Sequence, residues 1–205
     1  MKKMMFNDRY GLTQAVISGR KTVTRRVVKD AWWPIYKIEA EEIKGDIIHV
    51  IANNGKLVIE HKCPYKIGEI VAVAQCYADI HSELMIGDFG DDCYDSFKNA
   101  VVHDKAGWHN KMFVQADLMP HRIQITDLRI EPLQDISGDY FKEGITLLVS
   151  ADDGRIQWGY ADEHLRYYMF DSPRKAFASL IDKVSGRGTW DRNPFVWRIE
   201  FELVK

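Results

Sequence analysis

The sequence predicts an α+β fold in which short β-strands form a small barrel with helices around it. Residues 195–204 alternate apolar with mostly polar side chains, as in a half-buried strand. Residues 172–186 combine an N-terminal Ser-Pro pair, an apolar stripe and a closing glycine, which together indicate an amphipathic helix. Many short strand patterns and few helical ones complete the prediction.

The first half of the chain supplies one helix and several strands. Residues 9–18 predict a helix, because Asn and Asp precede it, apolar residues recur at helical spacing and Gly19 follows it. An Asn-Gly turn between residues 46–51 and 56–60 predicts a β-hairpin. The apolar residues 70–73 predict a buried strand.

The second half contains one strand whose apolar pattern changes phase. Residues 121–131 place apolar side chains at odd positions up to Ile125 and at even positions from Leu128, which predicts either a β-bulge or a strand that crosses between barrel faces. Residues 137–143 predict a short helix that a glycine ends. Residues 146–170 show no clear period, so we expect them to be irregular.

Length and charge indicate one domain, residues 1–205, with insertions at 78–110 and 146–170. The 28 Lys and Arg residues against 30 Asp and Glu residues give a net charge of −2, which excludes a protein that coats polyanions indiscriminately. Residues 20–29 nevertheless hold five basic residues and no acid. Residues 79–95 hold six acids and no Lys or Arg, and predict an acidic loop that could contact a protein partner.

The chain has no apolar run of about 20 residues and no signal-peptide pattern at its start. We therefore expect a cytoplasmic protein with no membrane partner. Its three cysteines are too widely spaced for a metal motif, and its histidines lack metal-ligand spacing, so we expect no metal and no cofactor.

The densest polar cluster is residues 19–26, Gly-Arg-Lys-Thr-Val-Thr-Arg-Arg. One interpretation is a solvated edge strand, where Lys and Arg discourage aggregation. The other is a site in which hydroxyl and cationic donors bind phosphate, carbonyl or ribose oxygens. Lys21, crowded by arginines and partly desolvated, would lose its proton more easily, as a general base near neutral pH requires. In a regular strand, however, Lys21 and Thr24 point to opposite faces.

The pattern Gly19-x-Lys21-Thr22-x-Thr24-x-Arg26 resembles the signature of ASCH domains, a branch of the PUA-like superfamily. Residues 119–145 and 176–201 are similar, in the same order, to the central and C-terminal blocks of phage-type ASCH proteins.

This resemblance implies a PUA-like β-barrel of five to six mostly antiparallel strands, surrounded by helices, with a cleft lined by the Gly-x-Lys-Thr segment. It implies binding of RNA or of a nucleotide or nucleoside, which could be a modified one. The candidate binding residues are Arg20, Lys21, Thr22, Thr24, Arg25, Arg26, Arg122 and Trp190.

Some small ASCH proteins are amidohydrolases that deacetylate acetylated cytidine. By resemblance, Lys21 would be the base, Thr24 the nucleophile and Glu143 the acid. Gln75 stands where phage-type relatives commonly have a glutamate, and it cannot act as an acid or base. We therefore place binding first, hydrolysis second and contact between residues 79–95 and a host protein third.

Overall fold

The structure is a computed structural model that describes residues 1–28, 38–44, 47–52, 57–86, 106–150 and 154–204. Its strands are β1 (Lys3–Met4), β2 (Val23–Val27), β3 (Ile38–Lys44), β4 (Ile47–Ala52), β5 (Leu57–Lys62), β6 (Ile70–Val73), β7 (Arg122–Pro132), β8 (Thr146–Val149), β9 (Ile156–Ala161), β10 (Tyr167–Phe170) and β11 (Phe195–Val204). Its α-helices are α1 (Leu12–Ile17), α2 (Tyr77–Ile86), α3 (Pro173–Ser185) and α4 (Thr189–Arg192).

The main sheet has five strands in the order β1-β6-β7-β11-β2. Only β1 and β6 run parallel, and the other three neighbouring pairs are antiparallel. Apolar side chains from β6, β7 and β11 form the main core together with α1 and α3. This arrangement confirms the α+β class. Two further sheets, β10-β9-β8 and β3-β4-β5, each have three antiparallel strands.

A β-bulge interrupts the pairing of β7 with β11, as the change of apolar phase predicts. Glu200 pairs with Asp127 but Phe201 pairs with Ile125, which leaves Thr126 as the extra residue. Ile125 and Leu128 are both buried although they lie three positions apart, where a regular strand would place them on opposite faces. The bulge therefore keeps both halves of β7 facing the core.

The two outer strands of the five-stranded sheet approach each other. Arg26 of β2 donates from Nη2 to the carbonyl of Met5, directly after β1, at 2.6 Å. The rings of Phe6 and Phe201 also meet, with centroids 5.7 Å apart. The sheet is therefore strongly curved. No closed barrel is found among the strands of the described ranges.

The prediction of irregular structure for residues 146–170 is wrong. Strands β8, β9 and β10 form an antiparallel sheet there. Each strand is only four to six residues long, too short for a clear period, and the pairing between strands supplies the order. Gly159 is required at its position, because a Cβ there would lie 2.0 Å from the carbonyl oxygen of Tyr168.

The predicted acidic loop is wrong at its beginning, because α2 covers residues 77–86. Asp79 lies in the first turn of α2, where its carboxylate accepts a hydrogen bond from the backbone N–H of Cys76 at 3.3 Å. A carboxylate at that end also favours the helix dipole. The rest of the acidic segment, residues 87–95, lies outside the described residues.

The remaining local predictions hold with small changes. Helix α3 has Ser172 as its N-cap and ends before Gly186, as expected. The predicted helix 9–18 is split at Gly11, whose φ of +62° separates a short 3₁₀ turn from α1. Strands β4 and β5 pair antiparallel as predicted, while their turn lies outside the described residues. The predicted helix 137–143 shortens to a 3₁₀ turn, Phe141–Glu143.

The helices of the described ranges include none that is both long and apolar enough to cross a membrane.

Candidate functional site

Lys21 lies between the end of α1 and the start of β2, and its side chain is buried. Gly19, with φ of +73°, turns the chain after α1, and the backbone N–H of Lys21 donates to the carbonyl of Ala15 at 2.8 Å. Its ammonium donates to the carbonyl of Val23 at 2.6 Å, to the carbonyl of Glu143 at 3.0 Å and to Oε2 of Glu143 at 2.6 Å. All three ammonium donors of Lys21 are thus used.

Burial lowers the pKa of Lys21, because desolvation disfavours the ammonium form. The carboxylate of Glu143 opposes this effect, and the charges of Arg25 and Arg26 add to it. The pKa of Lys21 is thus lowered, which is the direction that the neighbouring basic residues in the sequence predict.

Glu143 lies on the 3₁₀ turn that faces Lys21. This turn ends at Gly144, whose φ is +96°, and the backbone N–H of Thr22 donates to the carbonyl of Lys142 at 2.9 Å. The carboxylate of Glu143 is only 4% exposed and accepts from Lys21 on one oxygen and from Arg25 on the other, the latter at 2.7 Å. Residues more than 100 positions apart therefore form one buried ion cluster.

Arg25 connects that cluster to further carboxylates. Its Nε donates to Glu131 at 2.9 Å, its Nη2 lies 2.7 Å from the same carboxylate, and its Nη1 binds Glu143. The side chain is 1% exposed. Its charge is balanced by the carboxylates of Glu131 and Glu143, and Asp139 lies 3.7 Å from its Nη2.

A second arginine lies opposite the first on the neighbouring strand. Arg198 pairs in register with Arg25, and its guanidinium binds Asp139 at 2.8 Å, Asp127 at 3.3 Å and Glu200 at 3.0 Å. Burial tends to raise the pKa of Asp139, but the hydrogen bond and charge of Arg198 outweigh it, and the net pKa is lowered. The carboxylates offset the repulsion between the two arginines.

A cleft of about 260 Å³ opens beside β2. Its walls come from residues 5–7, Leu12, residues 24–27 and residues 184–185. Pockets that enclose a small-molecule ligand are commonly on the order of 300 Å³ or larger. The volume of this cleft lies just below that range.

Thr24 and Arg26 share one face of β2 and both line this cleft. The hydroxyl of Thr24 has no hydrogen-bond partner among the residues that the structure describes. The Nε of Arg26 is buried and likewise lacks an acceptor within that part of the chain. The Thr24 hydroxyl is thus a donor in the cleft wall that a ligand oxygen would satisfy, whereas the Nε of Arg26 is enclosed by the protein.

The three residues of the hydrolase hypothesis are not joined by hydrogen bonds into one group among the described residues. Lys21 and Glu143 are paired, but no hydrogen bond joins Thr24 to either of them within the described ranges. The parity of β2 explains this separation, since Thr24 alternates with Arg25, which binds Glu143. Arg25 lines the cleft and also contacts the ion cluster.

The other candidate binding residues lie away from the cleft walls. Arg20 is exposed and donates to Ser18, and Arg122 is exposed at the start of β7. Thr22 is half-buried and accepts a backbone hydrogen bond from Phe201 at 2.9 Å. Trp190 packs against the main core.

The rings of Trp190 and Phe177 meet edge to face, and the guanidinium of Arg174 lies 4.8 Å from the centroid of the Trp190 ring. The ring of Trp190, which the sequence analysis selected as a binding candidate, thus already contacts two side chains of the protein.

Sequence reasoning missed the acids and the second arginine of the ion cluster. Glu131, Asp139 and Arg198 lie on polar positions that we interpreted as solvent-facing or did not select. The signal that could have found them is that the two neighbouring strands β2 and β11 each carry an arginine. Arg25 and Arg198 directly opposite each other would require carboxylates nearby.

Gln75 is buried in a separate polar contact. Its Nε2 donates to Glu83 at 2.7 Å, and the other oxygen of Glu83 lies 2.8 Å from Nε2 of His121. The Oε1 of Gln75 has no donor among the described residues. Gln75 does not line the cleft.

Comparisons of the chain with models of protein families, with curated proteins and with solved structures found no match.

Proposed function

We propose that this protein binds a nucleotide or nucleoside, free or as one unit of RNA, in the cleft beside β2. The observation that carries the proposal is the presence of an unpartnered threonine hydroxyl and an arginine guanidinium on one wall of a cleft of about 260 Å³. Phosphate, ribose and base carbonyl oxygens are acceptors that match both donors. The resemblance of residues 19–26 to the ASCH signature supports the same ligand class.

A PUA-like barrel is the fold that goes with this proposal. The curved five-stranded sheet supports it, because Arg26 connects the two outer strands through the carbonyl of Met5. The proposed similarity of the chain to phage-type ASCH proteins rests on the sequence resemblance alone.

Binding is tested by calorimetric titration with the four 5′-mononucleotides, the matching nucleosides and acetylated cytidine. The test variants are Thr24→Val, which keeps shape and removes the hydroxyl, and Arg26→Gln. We expect Thr24→Val to weaken binding by about two- to tenfold and Arg26→Gln by about ten- to 150-fold, as neutral and charged hydrogen bonds do.

The matched control is Arg129→Gln, because Arg129 lies on β7, is exposed and contacts Asp127 instead of the cleft. It should bind as the unchanged protein does. Absence of binding by every ligand, or equal affinities for all three variants, would overturn the proposal.

Deacetylation of a modified nucleoside is the second candidate, favoured by the buried Lys21–Glu143 pair. Burial lowers the pKa of Lys21, which is the direction a general base requires. Binding takes precedence because the Lys21 ammonium already donates to three acceptors and Thr24 is not among its partners. Incubation with acetylated cytidine decides between them. Release of acetate that Thr24→Ala abolishes would favour the hydrolase.

A further inference from the structure

An asparagine in the cleft wall has an amide that the fold does not use. Asn7 lines the cleft and directly precedes the 3₁₀ turn Asp8–Tyr10, where an asparagine side chain commonly caps the turn. Its side chain makes no cap hydrogen bond. No other partner of this amide is found among the residues that the structure describes. The half-buried amide therefore keeps a donor and an acceptor for a ligand.

Hydrogen bonds hold the backbone on both sides of this amide. The carbonyl of Asn7 accepts from the backbone N–H of Leu12 at 3.1 Å. Two residues earlier, the carbonyl of Met5 accepts from Nη2 of Arg26 at 2.6 Å. The segment 5–7 is thus fixed between the start of α1 and β2. The fold positions the amide of Asn7 in the cleft wall and leaves its hydrogen-bonding groups available.

Apolar side chains supply much of the remaining cleft wall, including Phe6, Leu12 and Val184. Val184 is the last residue of the apolar stripe on α3 and is 38% exposed, whereas Leu180 and Ile181 before it are buried. Small-molecule sites commonly combine such apolar walls with a few polar groups that fix the orientation of the ligand. A nucleobase suits this combination, because its two faces are apolar and its edge is polar.

Asn7 differs chemically from the other polar residues of the cleft. The Nε, Nη1 and Nη2 atoms of Arg25 all contact carboxylates, so they are already used. Arg26 can only donate, and the hydroxyl of Thr24 carries a single proton. Among the described residues that line the cleft, only Asn7 has an amide, which places a donor beside an acceptor. The edge of a nucleobase has the same arrangement, so an amide can bind it with two parallel hydrogen bonds.

We propose that Asn7 pairs with the Watson–Crick edge of the bound base and thereby determines which bases the cleft accepts. This proposal rests on the proposed function and adds recognition of the base to the contacts of Thr24 and Arg26. The NH₂ group of Asn7 donates to a ring nitrogen or carbonyl oxygen of the base, and its carbonyl oxygen accepts from the neighbouring N–H. The cleft therefore favours nucleosides whose edge is free over nucleosides that are methylated there.

The experiment titrates four nucleosides and their edge-methylated counterparts by calorimetry. The pairs are adenosine with N6,N6-dimethyladenosine, cytidine with N4,N4-dimethylcytidine, guanosine with 1-methylguanosine, and uridine with 3-methyluridine. In the unchanged protein, methylation should weaken the preferred nucleoside by about fivefold to 150-fold, as loss of a two-bond pair does. In Asn7→Ala, the natural and the methylated nucleoside should bind equally. The variant should fold, because the Asn7 side chain makes no cap hydrogen bond.

A second variant, Asn7→Asp, exchanges the NH₂ donor for another acceptor. Guanine alone among the four bases has two adjacent donors on its Watson–Crick edge, so Asn7→Asp should shift the preference toward guanosine. The matched control is Gln157→Ala, which removes a half-buried amide on β9 outside the cleft. Its affinities and its methylation effect should equal those of the unchanged protein.

The outcomes separate this proposal from the proposed function. If the nucleosides bind but methylation has no effect, or if Asn7→Ala weakens natural and methylated nucleosides by the same factor, the role of Asn7 is overturned and the proposed function stands. If neither nucleosides nor nucleotides bind, both are overturned.

Discussion

The Nζ of Lys21 donates to Oε2 of Glu143 at 2.6 Å, with both side chains less than 5% exposed. Glu143 also binds Arg25, so one carboxylate balances two buried cations. The carboxylate of Glu143 that Lys21 contacts is also bound by Arg25, so it keeps a cationic partner when Lys21 is lost. The two members of the pair therefore differ in how much the rest of the cluster depends on them.

We predict that Glu143→Gln destabilises the protein more than Lys21→Met. The first change leaves two buried cations without their shared carboxylate, and breaking such a pair costs about 3–5 kcal/mol. The second removes the Lys21 donors to Glu143 Oε2 and to two carbonyls but leaves Glu143 paired with Arg25, so we expect a cost of about 1–3 kcal/mol. Urea unfolding followed by tryptophan fluorescence measures both. A larger loss for Lys21→Met would contradict this account.

Local patterns predicted the elements whose signals lie within one segment. Helix α3 carries its own cap and stripe, and the change of apolar phase in β7 predicted a bulge or a crossing strand, of which the structure has the bulge at Thr126. Strands β8–β10 were missed because their order comes from pairing among short segments, and α2 was missed because the acidic stretch shows no sustained period.

The same distinction between local signals and long-range pairing applies to the candidate site. The position of Lys21 after a helix-ending glycine was visible in the sequence, whereas its contact with Glu143 joins residues 122 positions apart. The contact between Arg198 and Asp139 spans 59 positions and depends on how β11 meets the turn before Glu143. No local pattern encodes such a pairing.

We predict that deleting Thr126 destabilises the protein severely. Without the extra residue, one half of β7 would turn its apolar side chains away from the core, including Ile123 and Ile125 or Leu128 and Ile130. Circular dichroism during heating should show loss of the cooperative transition or a much lower Tm. Thr126→Ser keeps the residue count and should stay within about 0.5 kcal/mol. A deletion variant as stable as Thr126→Ser would exclude this role for the bulge.

Acid should weaken the ion cluster through Asp139. Burial tends to raise its pKa, but Arg198 and the charges of Lys142 and Arg25 lower it further, so its pKa in the folded state lies below the ordinary value. Its contribution is therefore fully present above a pH of about 4, the unfolded pKa, and is lost as the pH falls through the lower folded pKa.

We accordingly predict that the free energy of unfolding falls less steeply below pH 4 in Asp139→Asn than in the unchanged protein. The variant should also be less stable at neutral pH. Urea unfolding across an acidic pH series measures both slopes. Asp171→Asn is the control, because its carboxylate is 78% exposed and contacts only the exposed Lys175 among the described residues. Parallel curves for the unchanged protein and Asp139→Asn would refute the prediction.

Salt should weaken the binding of short single-stranded RNA in proportion to the number of phosphates that the protein neutralises. The logarithm of the binding constant falls with the logarithm of salt concentration by about 0.7 per neutralised phosphate on a single strand. Arg26 is the cleft cation with an unsatisfied donor, so Arg26→Gln should reduce the slope by about 0.7. Arg129→Gln, whose guanidinium pairs with Asp127 outside the cleft, should leave the slope unchanged. Titrations of a fluorescent trinucleotide at several potassium chloride concentrations give these slopes. A slope that Arg26→Gln does not alter would mean that Arg26 binds the ribose or base oxygens and that phosphate is held elsewhere.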